Sequence, residues 1–177
     1  MHLLVTRHGE TTFNVQNKIC GRTDVPLTPH GVEQARALAQ NLRGTQIDTI
    51  ISSPLSRAKD TAQIIQSVCG GALITDERLI EQDYGAFEGK DRFSESFLAN
   101  KRQFAFRYPG GESMMMLAHR VYSLLDELAV HSRSNTTLLV CHNGVCRAIH
   151  TYFHDLANEE YAQFSLENCG LLRYSLP

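Results

Sequence analysis

Short apolar runs alternate along this chain with stretches whose apolar residues recur at helical spacing. The runs His2-Leu3-Leu4-Val5-Thr6, Asp48-Thr49-Ile50-Ile51-Ser52 and Thr137-Leu138-Leu139-Val140-Cys141 read as short buried strands, and Ala72–Thr75 and Gly170–Ser175 as further strands. Between them, Thr28 caps a helix with Pro29 at its first position and an inward stripe of Val32, Ala35, Leu38, Ala39 and Leu42. Ser53 and Pro54 are expected to open a second helix in the same way, packed through Ala58, Ala62, Ile65 and Val68. A third begins near Ser113, with Met114, Leu117, Val121, Leu124, Leu125 and Leu128 at helical spacing, and Met114, Met115 and Met116 read as core filler. Val145–Phe153 reads as a fourth. Strands alternating with helices predict an α/β fold: a three-layer sandwich with a mainly parallel central sheet and helices on both faces.

Three of the strands end in polar residues of one chemical kind. Arg7-His8-Gly9-Glu10-Thr11 follows the first, Ser53-Pro54-Leu55-Ser56 leads from the second to Arg57, and His142-Asn143-Gly144 follows Cys141. If these strands are parallel neighbours, Arg7, His8, Arg57 and His142 emerge at one edge of one sheet, where open α/β sheets bind ligands. A neutral imidazole is a competent nucleophile toward phosphorus near neutral pH, and paired guanidiniums clamp phosphoryl oxygens bidentately as lysine cannot. Four cationic or donor side chains could thus supply the charge neutralisation that many phosphoryl-transfer sites draw from Mg²⁺.

At this point the chain resembles the histidine phosphatase superfamily, the phosphoglycerate-mutase-like proteins. The resemblance rests on Arg7-His8-Gly9-Glu10-Thr11 with Asn14, Gly21–Thr28 with Gly31, Ser52–Ala58, Leu79-Ile80-Glu81 with Gly85 and Glu88-Gly89, Pro109–Ser113, and Cys141-His142-Asn143-Gly144, in the family's order along nearly the whole chain. It implies a phosphoglycerate-mutase-like sandwich in which His8 is the phosphorylated nucleophile and Arg7, Arg57 and His142 hold the phosphate. Asn14 and the segment around Gly21 and Thr23 would add donors, and Glu81 would be the general acid and base. Glu10, Glu88 and Glu112 also sit in family motifs, but helix-end and loop packing explain them nearly as well. Where the family commonly has Gly after its second histidine, this chain has Asn143 followed by Gly144; the Asn143 N–H is expected to remain a phosphate donor.

The rest of the chain narrows the function. At 177 residues, with no repeat or low-complexity linker, it suits one domain over 1–177. The 17 Lys plus Arg against 19 Asp plus Glu give no basic excess to attract nucleic acid or an anionic membrane. No apolar stretch approaches the roughly 20 residues that span a bilayer, and no signal-peptide layout precedes the first strand, so a cytoplasmic location is expected. Cys20, Cys69, Cys141, Cys146 and Cys169 are scattered without CxxC spacing; they indicate neither disulfides nor zinc, and most read as small buried hydrophobes. Only Cys20 sits in a loop that the resemblance brings near the phosphate. No Walker A, GxSxG or GxGxxG pattern supports a nucleotide-binding or serine-hydrolase reading.

The expected ligand is a small phosphorylated metabolite, without metal or cofactor, and a homodimer is left open. Hydrolysis of a phosphomonoester leads; a cofactor-dependent phosphoglycerate mutase is the alternative, and a non-catalytic phospho-ligand-binding module the third. A substrate lid is expected around 84–112, where Tyr84, Phe87, Phe93, Phe97, Phe104, Phe106 and Tyr108 interleave with Lys90, Arg92, Lys101, Arg102 and Arg107. The competing reading of that segment is a satellite hydrophobic cluster with solvated charges.

Overall fold

A computed structural model describes residues 1–131 and 136–176. Its strands are β1 (His2–Arg7), β2 (Thr49–Ser52), β3 (Ala72–Thr75), β4 (Thr136–Cys141) and β5 (Leu171–Ser175). Its helices are α1 (Thr12–Val15), α2 (Pro29–Asn41), α3 (Ser56–Cys69), α4 (Glu95–Lys101), α5 (Met114–His131), α6 (Asn143–Phe153) and α7 (Asn158–Gln163). The sheet order is β3-β2-β4-β1-β5, parallel throughout except for β5, which runs antiparallel to β1 along the edge.

The alternation of side chains along each strand divides the core in two. Leu4, Ile50, Leu138 and Val140 face α2 and α3, packing on Leu38, Ala39, Ala58, Ala62 and Ile65. Leu3, Val5, Ile51, Leu139 and Cys141 face α5 and α6, packing on Leu117, Val121, Leu125, Val145 and Ile149. The two-faced burial explains why the central strands read as nearly unbroken apolar runs.

Local signals set most boundaries. The Thr28 hydroxyl accepts from Gly31 N at 3.0 Å, as expected of the cap. Ser53 does not play that part. Helix α3 begins at Ser56, with no side-chain cap at Leu55, because the Ser53 hydroxyl bonds a histidine of the site instead. Of the three methionines only Met114 is core; Met115 and Met116 are exposed, since a helix with one buried face turns consecutive residues to different sides. Among the cysteines only Cys141 and Cys146 are fully buried. No helix among the described residues is long and apolar enough to cross a membrane.

Candidate active site

The site is built by strand register. Arg7 pairs with Cys141 and Ser52 with Val140, and the ladder continues past the strand ends as His8 N→Cys141 O and Ser53 N→Val140 O, each 3.0 Å. His8, His142 and Ser53 therefore leave three adjacent strands side by side, with the two imidazole centroids 5.1 Å apart. The parallel-neighbour condition set by the sequence is met.

Both imidazoles have their tautomers set by partners that can play only one part. His8 Nδ1 lies 2.7 Å from the Gly9 carbonyl, which only accepts, so Nδ1 carries the proton and the Nε2 lone pair has no protein partner among the described residues. His142 Nδ1 accepts from Arg57 Nε at 3.2 Å, so its Nε2 donates to the Ser53 hydroxyl at 2.7 Å. Burial, reinforced by Arg57 and Arg7, holds His8 well below the usual histidine range, and burial with Arg57 does the same for His142. Both rings are thereby kept neutral.

Arg57 and the loop around Gly21 differ in detail from the sequence expectation. The Arg57 side chain is fully buried, and besides His142 it donates to the carbonyls of Thr23 at 2.9 Å and Gly21 at 2.7 Å. The loop's own donors are taken by Glu88, whose carboxylate accepts from the backbone N–H groups of Gly21, Arg22 and Thr23 and from the Thr23 hydroxyl. Gly21 and Thr23 thus organise Arg57 and do not offer free donors to a ligand. Gly21 has to be glycine, because a Cβ there would collide with the Glu88 carboxylate and the Gln82 carbonyl. Glu10 accepts from the Thr28 hydroxyl at 2.7 Å, and Glu112 pairs with Arg120 at 2.9 Å, so both are structural, as their helix-end positions allowed.

A cavity of about 180 Å³ opens in front of His8, lined by Arg7, Asn14, Cys20, Glu81, Asn143 and the further cations Lys18, Arg92, Lys101 and Arg147. Arg57 and His142 do not line it. Arg7 spends Nη1 on the Leu166 carbonyl at 2.8 Å, but its buried Nε has no protein partner, an orphan donor of the kind that marks a ligand position. Asn14 accepts from Thr11 and Asn168 through Oδ1, which leaves its amide nitrogen without a partner among the described residues.

Glu81 is buried, and its carboxylate is fixed by two backbone donors, Gln82 N at 2.8 Å and Gly144 N at 3.0 Å. This explains the Asn-Gly order after His142. A Cβ at residue 144 would meet Glu81 Oε1, so the glycine is needed there, while Asn143 anchors the 166 loop by accepting from Leu166 N at 2.8 Å. Cys20 lines the cavity, but burial pushes its thiol up to about 11, which makes it a poor thiolate.

The 84–112 segment contains both of the expected features. Tyr84, Phe87, Phe97 and Tyr108 form a buried aromatic cluster with Ile19, held by edge contacts of 5.1 to 5.8 Å. Arg92, Phe93, Phe97, Leu98 and Lys101 reach the cavity wall. Arg102 and Phe104 do not; Phe104 stacks on Tyr161 at 5.0 Å. The residue that the sequence reading missed altogether is Arg147, a nearly buried arginine on α6 five residues past His142, which donates to the Phe164 carbonyl. A charged residue inside the stripe Val145, Cys146, Ala148, Ile149 was the available signal.

An α/β sandwich presenting two neutral histidines beside buried arginines at its strand ends defines a phosphoryl-handling class of protein. The sequence profile described as histidine phosphatase superfamily (branch 1) matches residues 3–176, and the chain belongs to this superfamily. The chain is 34% identical over 182 aligned positions to a protein named probable phosphoglycerate mutase GpmB from Yersinia pestis, covering 98% of this chain and 84% of the relative. Among solved structures, a mycobacterial glucosyl-3-phosphoglycerate phosphatase superimposes with a TM-score of 0.86 at 27% identity, covering 97% of this chain and 88% of that one. A phosphoserine phosphatase from Entamoeba histolytica superimposes with a TM-score of 0.84 at 29% identity, covering 97% and 89%.

Proposed function

We propose that the chain is a phosphatase that hydrolyses a small phosphomonoester through a phosphohistidine on His8 without a metal ion. The observation that carries this is the His8 ring: its Nδ1–H is tied to the Gly9 carbonyl, and a neutral, unpartnered Nε2 faces the cavity that also holds the orphan Arg7 donor and Glu81. Nε2 attacks phosphorus, the bond from phosphorus to the ester oxygen breaks, and Glu81 gives the departing alkoxide its proton. The phosphorylated ring keeps its proton on Nδ1, and its positive charge rests against the Gly9 oxygen. Water then attacks phosphorus, Glu81 recovers a proton from it, the bond between nitrogen and phosphorus breaks, and neutral His8 returns.

Arg7 and the Asn14 amide meet the phosphoryl oxygens. Arg57 acts from behind, orienting His142, which reaches the phosphate by exchanging the Ser53 hydroxyl for a phosphoryl oxygen. In this reading the 84–112 segment is a substrate cover hinged on its aromatic cluster.

Rapid-quench mass spectrometry with p-nitrophenyl phosphate is expected to find an acid-labile, base-stable phosphoryl group on His8, absent in His8→Ala; phosphate on a serine or on His142 contradicts the assignment. Activity is expected to survive exhaustive chelation, because the arginines supply the neutralising charge. EDTA inhibition reversed by Mg²⁺ argues the opposite. The relative named as a mutase favours a second reading, phosphoryl transfer between hydroxyls of a phosphoglycerate. Following 3-phosphoglycerate by phosphorus NMR separates the two, since a phosphatase releases inorganic phosphate and a mutase makes the 2-isomer.

A further inference from the structure

The cavity holds more positive charge than one phosphoryl group needs. Arg7, Lys18, Arg92, Lys101 and Arg147 line it together, and the one carboxylate that faces them is Glu81. None of the five has an ion-pair partner among the described residues, although Arg22, Arg36, Arg57, Arg78 and Arg120 all do. A phosphoryl dianion and Glu81 together offset three of the five charges. Like charges gathered in a partly buried cavity repel one another unless a ligand compensates them.

The surplus is concentrated on one side. Arg7, His8 and Asn14 come from β1 and the turn that follows it, whereas Arg92 and Lys101 come from the 84–112 segment and Arg147 from α6. Lys101 feels both arginines: burial and the charges of Arg147 and Arg92 lower its ammonium to about 8. Arg147 is held in place by the Phe164 carbonyl through Nε and Nη2 and by the Tyr161 ring, with its guanidinium 5.4 Å from the ring centre, and Nη1 makes no hydrogen bond among the described residues. These are anchored cations, unlike a solvated surface run.

We propose that Arg92, Lys101 and Arg147 form a second anion subsite, and that the substrate is a phosphomonoester carrying a further acidic group, a carboxylate or a second phosphate, on its non-reacting part. The inference rests on the reading that the His8 side takes the phosphoryl group, and it names which class of ester that site selects. The acidic group lies across the cations of the cover and of α6 while the ester phosphorus lies at His8, so binding energy from the distant group aligns the reacting bond.

The test compares three ligands on one carbon skeleton: 3-phosphoglycerate, glycerol 1,3-bisphosphate and glycerol 3-phosphate. Affinity is measured by calorimetry, and kcat/KM by phosphate release. The first or second ligand is expected to bind at least about 10-fold tighter than glycerol 3-phosphate and to show a similar advantage in kcat/KM; which of the two wins tells carboxylate from phosphate. In Lys101→Met and in Arg92→Gln that advantage is expected to fall toward one, with the folded state checked by circular dichroism. Equal affinity for all three ligands in the unsubstituted protein, or an advantage that survives both substitutions, overturns the subsite. Tighter binding of the doubly acidic ligand without phosphate release supports the subsite and overturns the phosphatase reading.

Discussion

At the scale of single residues, the site depends on which nitrogen of each ring is committed. His8 offers Nε2 only because Gly9 takes the Nδ1 proton, and His142 is held the opposite way round by Arg57 and Ser53. Glu81 is fixed by two backbone N–H groups at the cavity wall, and in the proposed reaction its task is to protonate the leaving group. Glu81→Gln keeps the shape and removes that proton, so it is expected to slow alkyl phosphates by 10²-fold or more while slowing p-nitrophenyl phosphate, whose phenolate departs without help, far less. Kinetics on both substrates measure this, and equal losses would assign Glu81 a structural part. The identities of Arg7, His8, Glu81 and His142 were legible in the sequence, since each closes a strand or a short motif. Arg147 was not, because an arginine in a buried helical stripe shows its target only once α6 is docked against the 164–166 loop.

At the scale of elements, the loop from Gly21 to Thr23 shows how an expectation can find the right place and mistake the task. It was expected to offer donors to phosphate; its N–H groups bind Glu88, more than 60 residues away, and its carbonyls hold Arg57. Glu88 is thus the post that keeps this loop, and through it Arg57 and His142, in position. Glu88→Gln replaces a charged acceptor of four hydrogen bonds with a neutral group that matches fewer of them. It is expected to destabilise the fold by about 1–3 kcal/mol, read as a lower Tm, and to reduce kcat/KM without moving the phosphoryl group from His8. An unchanged Tm would mean that water replaces the carboxylate at no cost. The Ser53 cap failed for a similar reason: a local capping signal competed with a histidine 89 residues away and lost.

At the scale of the whole molecule, two buried neutral histidines link stability to pH. His8 and His142 both lie well below the usual 6.5 when folded, so the unfolded chain takes up more protons as the pH falls through that value. Stability is therefore full above about pH 6.5 and declines below it, by up to about 1.4 kcal/mol per pH unit for each histidine. Asp76, held low by Arg78 despite some burial, adds its own loss only below the ordinary carboxylate range near 3.8. Thermal melts are expected to show a Tm that falls steadily from pH 7 to pH 5, and a flat Tm over that interval would contradict the neutral burial of both rings. The sequence by itself determined the layers, the strands, the Thr28 cap and the residues at the strand ends, because periodicity, capping and strand-end polarity are local properties of the chain. The tertiary structure alone decided which donors are already spent, why residue 144 must be glycine, and that Arg92, Lys101 and Arg147 meet at one cavity. These depend on contacts between segments far apart in the chain, where burial and the competition for hydrogen-bond partners are settled only when the sheet, the cover and α6 come together.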